Sequence, residues 1–115
     1  MPLNDTILNI GNAAMQTAMA YMSLHTATPN TSGSNESTAA RQAITWVTAA
    51  NGDMIATVDL AFTGGTASGA CTHCGFWSAS TAGTFYGYLP LTGDQTFNAA
   101  GEYTVTGVTI TGTAS

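Results

Sequence analysis

The stretch ACTHCGFWS, residues 70–78, brings two cysteines, a histidine and a tryptophan together in a chain otherwise rich in threonine, alanine and glycine. Two interpretations fit it. The spacing of Cys71, His73 and Cys74 resembles half a zinc site or a redox pair, whereas the mixture of aromatic and small residues is typical of a strand. The choice decides the fold, because a metal site organises a small loop-rich domain and a buried strand needs a sheet around it.

Metal or redox chemistry is the weaker interpretation. Structural zinc requires four ligands, but no second cysteine–histidine pair follows, and the other histidine, His25, lies in a separate strand-like segment. A thioredoxin-type pair lies at a helix N-terminus, whereas strand-like sequence continues here. On a strand, Cys71 and Cys74 would point to opposite faces, which argues against a shared ion and against a disulfide. We therefore predict a core strand, with no metal and no cofactor.

Further strand-like segments extend outward from this stretch and are separated by turn formers. In AYMSLHT, residues 20–26, the period of two places Met22 and Leu24 on one face and Ser23 and His25 on the other, as in a half-buried strand. These features predict a mainly β protein, an antiparallel β-sandwich of jelly-roll or immunoglobulin-like strand order. The other predicted strands lie near residues 41–47, 54–62, 69–79, 84–91 and 102–111, with an Asn-Gly hairpin signal at residues 51–52.

One helix is predicted near the N-terminus, over residues 4–19, with Asn4 as its N-cap and Asp5 in its first turn. Its apolar side chains recur at helical spacing, and we expect the resulting stripe to pack in the core or in an interface. The sequence thus predicts a helical contact element over residues 1–20 and a β-sandwich domain over residues 21–115. The stripe comprises Ile7, Ile10, Ala14 and Ala18 and is widened by Leu8, Met15, Met19 and Met22.

A polar loop of residues 27–40 separates the strand of residues 20–26 from the next strand. It contains Pro29 and many Asn, Ser, Thr and Gly residues, which favour turns and offer nothing to bury. At this length we expect the loop to be mobile or fixed by a partner. Glu36 and Arg41 are close enough in sequence to form an ion pair that fixes the loop to the following strand.

The composition excludes several classes of partner. Charged residues make up only 6% of the chain, against about 25% in an average globular domain. Because Arg41 is the single Lys or Arg residue and the net charge is −5, we expect no binding to nucleic acid or to an acidic membrane surface. An uncharged surface favours subunit contacts, so we expect a homo-oligomer. Without a secretion signal or a long apolar run, synthesis in the cytoplasm is expected.

Motifs for catalysis are also lacking in the sequence. The carboxylates are dispersed along the chain, without a close pair suited to acid–base catalysis. No nucleophile elbow, phosphate-binding loop or His-Glu metal motif occurs. We therefore expect no enzymatic activity.

Three segments share their joint spacing with a known family. YMSLHTATPNTSGSNE, residues 21–36, is similar to the family's Leu-His-Thr strand end, followed by a Pro-containing polar loop, a glycine and a glutamate. ARQAITW, residues 40–46, is similar to its Ala-Arg-Gln-aliphatic stretch ending in Trp. THCGFWSASTAGTFYG, residues 72–87, is similar to its Thr-His-x-Gly-aromatic-Trp run before a Gly-rich turn. The chain thereby resembles a family of small structural proteins from tailed bacteriophages, especially those of actinobacteria, commonly described as minor tail or tail-fibre proteins.

The resemblance implies a non-enzymatic component at the virion surface. Its partners would be other virion proteins, either the major capsid protein or tail proteins. It also implies that ACTHCGFWS is a core strand in which His73 and Trp77 are structural anchors. The full set of predicted structural anchors is His25, Glu36, Arg41, Trp46, His73 and Trp77.

The location within the virion is predicted from physical arguments. A small, acidic, lysine-free β protein suits the outside of a capsid, away from DNA, so the sequence favours a decoration protein that stabilises the shell by binding only the assembled lattice. The alternative is a minor tail or tail-fibre protein with host-surface contact, and a free carbohydrate-binding module is a third. In the tail interpretation Tyr86, Tyr88 and Tyr103 form a sugar-stacking platform with Trp77. The predicted contact residues are Ile7, Ile10, Met15, Met19 and Pro29.

Overall fold

The computed structural model describes residues 5–46, 53–55, 60–105 and 109–111. Helix α1 occupies Asp5–Ala18, close to the predicted residues 4–19. Eight strands follow within the described ranges: β1 (Tyr21–His25), β2 (Gln42–Ala43), β3 (Asp53–Ile55), β4 (Leu60–Phe62), β5 (His73–Trp77), β6 (Phe85–Pro90), β7 (Tyr103–Val105) and β8 (Thr109–Thr111).

The strand pairs among the described elements are all antiparallel. Four strands form one sheet in the order β2-β1-β5-β6, while β3 pairs with β8 and β4 pairs with β7. The predicted segments 54–62 and 102–111 therefore lie beside each other and pair at two places along their length. The prediction of a mainly β, antiparallel fold with one N-terminal helix is confirmed.

One face of the four-stranded sheet carries the apolar core. The register places Met22 opposite Phe76 and Leu24 opposite Cys74, so these four side chains share a face. All four are buried, and burial of each large side chain contributes about 1.5–3 kcal/mol. The same core cluster includes Met19, Ala39, Leu60, Phe62, Cys71, Leu91, Phe97 and Val105.

The opposite face of this sheet is buried along most of β1 and exposed toward the outer strand β6, where Tyr88 is 42% exposed. Ser23 and His25 are fully inaccessible to solvent, so the prediction that β1 is half-buried was wrong. The chain between β1 and β2, residues 26–41, folds over this face and is called the cover loop below. The alternation of polarity in β1 therefore does not mark one side that faces water. The apolar side chains contact the core, and the polar side chains contact the cover loop.

The cover loop is fixed by hydrogen bonds within the chain. The Ser37 N–H group donates to the Leu24 carbonyl (2.8 Å), which attaches the loop to β1. At the loop tip, the side-chain oxygen of Asn30 accepts hydrogen bonds from the backbone N–H groups of Ser32 (2.9 Å) and Ser34 (3.2 Å). A loop of this length can therefore be ordered without a partner, because hydrogen bonds within its own turns engage its backbone N–H and carbonyl groups.

Helix α1 joins the β region at its C-terminal end. The Trp46 Nε1–H group donates to the Met19 carbonyl (2.8 Å), and the Ile44 N–H group donates to the Ala20 carbonyl (2.9 Å). These bonds attach the two residues that follow the helix to the segment after β2. Among the described residues, no helix combines the length and apolarity needed to cross a bilayer.

Two sequence signals lie outside the described residues. These are the proposed N-cap, Asn4, and the Asn-Gly pair at residues 51–52. The strand that follows the Asn-Gly pair is β3, and its partner among the described strands is β8.

Candidate functional site

A chain of directed hydrogen bonds lies between the four-stranded sheet and the cover loop. The Nδ1 atom of His25 is 2.8 Å from the Ser34 carbonyl, and because a carbonyl only accepts, Nδ1 carries the proton. The Nε2 atom then accepts from the Ser23 hydroxyl (2.6 Å), which itself accepts from the Trp77 Nε1–H group (2.8 Å). Burial lowers the pKa of His25, which agrees with the neutral form that this arrangement requires.

Arg41 closes the cover loop over the same face. Its Nε and Nη2 groups donate to the two carboxylate oxygens of Glu36 (2.8 and 3.0 Å), and its Nη1 group donates to the carbonyls of Ala79 (3.0 Å) and Ala82 (2.8 Å). The guanidinium carbon lies 3.5 Å from the ring centroid of Trp77. In this arrangement, called the arginine clamp below, the Arg41 side chain is only 8% exposed and that of Glu36 is 27% exposed, so the guanidinium is largely desolvated while the carboxylate keeps contact with water.

The cover loop approaches the sheet too closely for a side chain at residue 33. Gly33 has φ 79°, and a Cβ atom there would lie 2.6 Å from the Trp77 ring and 2.9 Å from the Phe85 ring. Pro29, Gly33 and Ala39 are all buried in this contact region or against the core. The sequence expectation that the loop offers nothing to bury was therefore wrong.

The two cysteines share one core cluster instead of facing opposite sides of a strand. Cys71 precedes β5, and its N–H group donates to the Gln95 carbonyl (2.8 Å), so strand alternation does not apply to it. Both thiols are buried and free. Burial raises the pKa of Cys71 to about 12 and that of Cys74 to about 11, which keeps both thiols protonated and unreactive at neutral pH.

His73 faces the outer part of the sheet. Its Nδ1 atom lies 2.7 Å from the Thr72 hydroxyl, and its ring meets the ring of Tyr88 edge-on with centroids 5.6 Å apart. Within the part of the chain that the structure describes, no group of three or more His, Cys, Asp or Glu side chains is placed to hold a metal ion. The contacts of His73 orient an aromatic ring.

Among the side chains that the structure describes, large apolar ones are exposed on helix α1 and on strand β6. On α1, Ile10 is 62% exposed, and Ile7 and Met15 are also exposed, so the stripe predicted from helical spacing faces solvent. Met19, just after the helix, is buried in the core. The contact residues predicted on the helix thus divide into three on the surface and one in the core.

On β6, Tyr86 and Tyr88 line an open groove together with the tip of the cover loop. The groove has a volume of about 300 Å³ and is bounded by Pro29, Asn30, Thr31, Phe85, Tyr86, Gly87 and Tyr88; we call it the tyrosine groove. Tyr86 is 49% and Tyr88 42% exposed. A shift in strand register between β5 and β6 leaves Tyr86 without a partner in the ladder and lets it project from the sheet.

The predicted four-ring platform does not form. Trp77 is buried under Arg41 and packs on Phe85, with ring centroids 5.0 Å apart. Tyr103 lies on β7, packs on Phe97 and donates its hydroxyl hydrogen to the Asp94 carbonyl. Of the predicted platform, Tyr86 and Tyr88 lie together on β6, whereas Trp77 is buried between the sheet and the cover loop.

Sequence reasoning missed Ser23, which links Trp77 to His25. The available signal was its position between two inward apolar residues of a strand whose other face also carries a histidine. A serine there would have been recognised as buried only if the cover loop had been predicted to fold back on the sheet. That return is specified by contacts distant in sequence, such as Arg41 with Ala79 and Ala82.

Comparison with known proteins identifies the family to which the chain belongs. A search of the curated proteins finds no match. The family model described as "Podophage GP4 fiber I protein gp80" matches residues 3–113, which includes the helix, the cover loop and every described strand. The resemblance to phage tail and fibre proteins found in the sequence is thereby confirmed, and the chain belongs to this family of phage fibre-type structural proteins.

Proposed function

We propose that this protein is a non-enzymatic component of a phage fibre that is held in the virion through helix α1. The family description, which names a fibre protein, supports the fibre over the capsid decoration predicted from composition. Capsid decoration stays a second candidate, because a net charge of −5 and a single Lys or Arg also suit the outside of a shell.

The observation that carries the attachment is the exposed stripe of α1. Ile7, Ile10 and Met15 face solvent although the core has its own set of buried apolar side chains. A helix of this length is marginal in isolation, and Gly11 in its middle costs about 1 kcal/mol relative to alanine. Covering the stripe with another protein stabilises both the helix and the contact, as expected of an assembly element.

The rest of the molecule suits a mechanical role. The central strands β1 and β5 are covered on both faces, and the cover loop is fixed by the arginine clamp and by its own turns. The buried thiols are protonated at neutral pH and His25 is engaged at both ring nitrogens. We expect such a body to transmit load between its contacts without changing shape.

Copy number distinguishes the fibre from the shell. Quantitative mass spectrometry of purified virions should give a small number of copies for a fibre and an abundance comparable to the major capsid protein for a decoration protein. Absence from the virion would refute both.

A charge on the stripe tests the attachment. We expect Ile10→Asp to reduce incorporation into particles at least tenfold, because an apolar contact would have to bury a carboxylate. The control is Ala99→Asp, which adds the same charge in an exposed turn. Both variants should be checked for an unchanged β circular dichroism spectrum, and normal loading of Ile10→Asp would exclude α1 as the attachment.

A further inference from the structure

We infer that the tyrosine groove is a binding subsite for one ring of a neutral saccharide. This inference rests on the proposed function, because host-surface contact is what such a subsite would give a fibre protein. The site consists of the outer strand of the four-stranded sheet and the tip of the cover loop.

The exposure of the two tyrosines is specific to this strand. The other aromatic side chains of the described residues are buried or half-buried, whereas Tyr86 and Tyr88 expose nearly half of their surface. Phe85, next to them, turns inward and packs on Trp77 and His25. The register shift skips Tyr86 in the pairing with β5, so that Phe85 lies opposite Trp77 and Tyr88 lies opposite Gly75, on the same face of the sheet as the cover loop.

The groove is rigid before any ligand arrives. Its loop wall is held by the Asn30 side-chain oxygen, which accepts from Ser32 and Ser34, and by the His25 bond to the Ser34 carbonyl. On the strand side, the edge-on contact with His73 orients the ring of Tyr88. A preorganised wall reduces the entropy lost on binding, which matters for a weak ligand such as a single sugar ring.

The chemistry of the lining selects the ligand class. None of the seven lining residues is charged, so the groove provides no partner for a phosphate, a carboxylate or an ammonium group. It offers aromatic faces for the C–H surface of a pyranose, and phenol and threonine hydroxyl groups for its hydroxyls. The same pattern of apolar surface with a few polar groups is typical of small-ligand sites.

Size and shape agree with one ring. A volume of about 300 Å³ is at the lower end of the range for ligand pockets, roughly 300–1,000 Å³. Gly87 lines the groove without a side chain, between Tyr86 and Tyr88. We expect a dissociation constant on the order of millimolar for a monosaccharide, as a shallow site with about a dozen ligand atoms permits.

The test is a titration of the full chain, labelled with ¹⁵N, followed by amide chemical shifts. The probes are the methyl glycosides of glucose, galactose, mannose, rhamnose and N-acetylglucosamine, with N-acetylneuraminic acid as the anionic probe and a proline-rich peptide as the competing ligand class. We expect saturable shifts confined to the amides of residues 30–31 and 85–88 with at least one neutral glycoside, and none with the anionic sugar.

Substitutions of the two tyrosines test whether the chemical-shift changes depend on their aromatic rings. Tyr86→Ala with Tyr88→Ala should weaken binding at least tenfold, whereas Tyr86→Phe keeps the stacking face and should lose no more than about threefold. Ile10→Ala is the matched control, since it removes an equally exposed apolar side chain on α1 and should leave the titration unchanged.

The outcomes separate this inference from the attachment proposal. No shift in the groove with any neutral glycoside, or shifts with the peptide alone, would overturn the saccharide site. Loss of saccharide binding in the tyrosine variants with normal incorporation into particles supports both proposals. Normal incorporation of Ile10→Asp together with saccharide binding by the full chain would refute the attachment through α1 and leave the groove intact.

Discussion

The two faces of the four-stranded sheet are buried around its central strands, β1 and β5, by different interactions. The core face is apolar and is filled by Met22, Leu24, Cys74 and Phe76. The covered face is polar and is connected by directed bonds among Trp77, Ser23, His25 and the cover loop. Dispersion and burial tolerate approximate geometry, whereas a buried polar network is stabilising only when each group has its partner.

The comparison predicts different sensitivities for the two faces. Substitutions of the aliphatic and aromatic residues on the core face should change stability through volume and by similar amounts at every pH, whereas the two core cysteines add a loss at alkaline pH. Substitutions on the covered face should change stability through the loss of specific partners. The covered face should also respond to the protonation of its histidine.

Phe76→Ala is expected to have the largest effect. The side chain is 2% exposed in the core cluster, and its truncation should lower the free energy of unfolding by about 3–5 kcal/mol. Denaturant titration measures the loss, and Phe76→Leu, which keeps most of the volume, should lose less than half as much. Equal losses for the two variants would contradict a packed core at this position.

Arg41→Ala tests the arginine clamp and should cost about 2–4 kcal/mol. The change leaves Glu36 and the carbonyls of Ala79 and Ala82 without their donor and uncovers Trp77. Arg41→Lys keeps the charge but not the paired donors, so its stability should lie between those of Arg41→Ala and the native chain. If Arg41→Lys equals the native protein in thermal unfolding, the charge alone is sufficient and the geometry of the clamp is unimportant.

Alkaline unfolding reports the core face. Burial raises the pKa values of Cys71 and Cys74 from 9.0 to about 12 and about 11, so the folded state retains thiol protons that the unfolded state releases. Stability is therefore complete below pH 9 and falls above it, by about 1.4 kcal/mol per pH unit for each thiol. We expect a loss of about 2–3 kcal/mol by pH 10.

The control for the alkaline limb is the pair Cys71→Ala and Cys74→Ala, measured one at a time. Each variant should remove about half of the slope between pH 9 and 10, whatever its stability at neutral pH. A slope unchanged by either substitution would assign the alkaline loss to another group. Tyr103, whose pKa is also raised by burial, contributes at higher pH.

Acid unfolding reports the covered face and should be the smallest effect. Burial lowers the pKa of His25 below 6.5, so its contribution to stability is complete above that pH and is lost as the pH falls. Protonation would also put a second N–H group against the Ser23 hydroxyl, which already accepts from Trp77. We expect a slope of no more than about 1.4 kcal/mol per pH unit below pH 6.5.

The acid slope should vanish in His25→Gln and persist in His73→Gln. Glu36, Arg41 and His73 are the charged or titratable groups that act on His25, so the control also removes one of its neighbours. A slope that survives His25→Gln would show that the covered face is insensitive to this histidine.

The local sequence pattern predicted where the helix and strands lie better than it predicted what surrounds them. Helical spacing located α1, and the period of two located β1 and β5, because these signals depend on residues adjacent in sequence. The same pattern was wrong about β1, since the alternation of Met22 with Ser23 does not say whether the polar side meets water or a loop. For Cys71, strand alternation was extended two residues beyond the point where β5 begins.

The candidate site was predicted in part for the same reason. Tyr86 and Tyr88 were recognised from their residue type, but their separation from Trp77 and Tyr103 depends on a register shift and on a second sheet. The groove wall depends on how the cover loop folds, which involves partners about 40 residues away along the chain. Single-sequence patterns contain little information at that distance.

Because of the arginine clamp, cleavage by trypsin can report how often the cover loop opens. Trypsin cleaves after lysine and arginine, and Arg41 is the single residue of either kind in the sequence. The only tryptic site is therefore held against Glu36 and Trp77, and it becomes accessible when the cover loop leaves the sheet. The rate at which trypsin cleaves this one peptide bond, into two fragments of unequal size, would measure how often the loop opens. The measurement applies to the isolated protein and to the assembled particle alike.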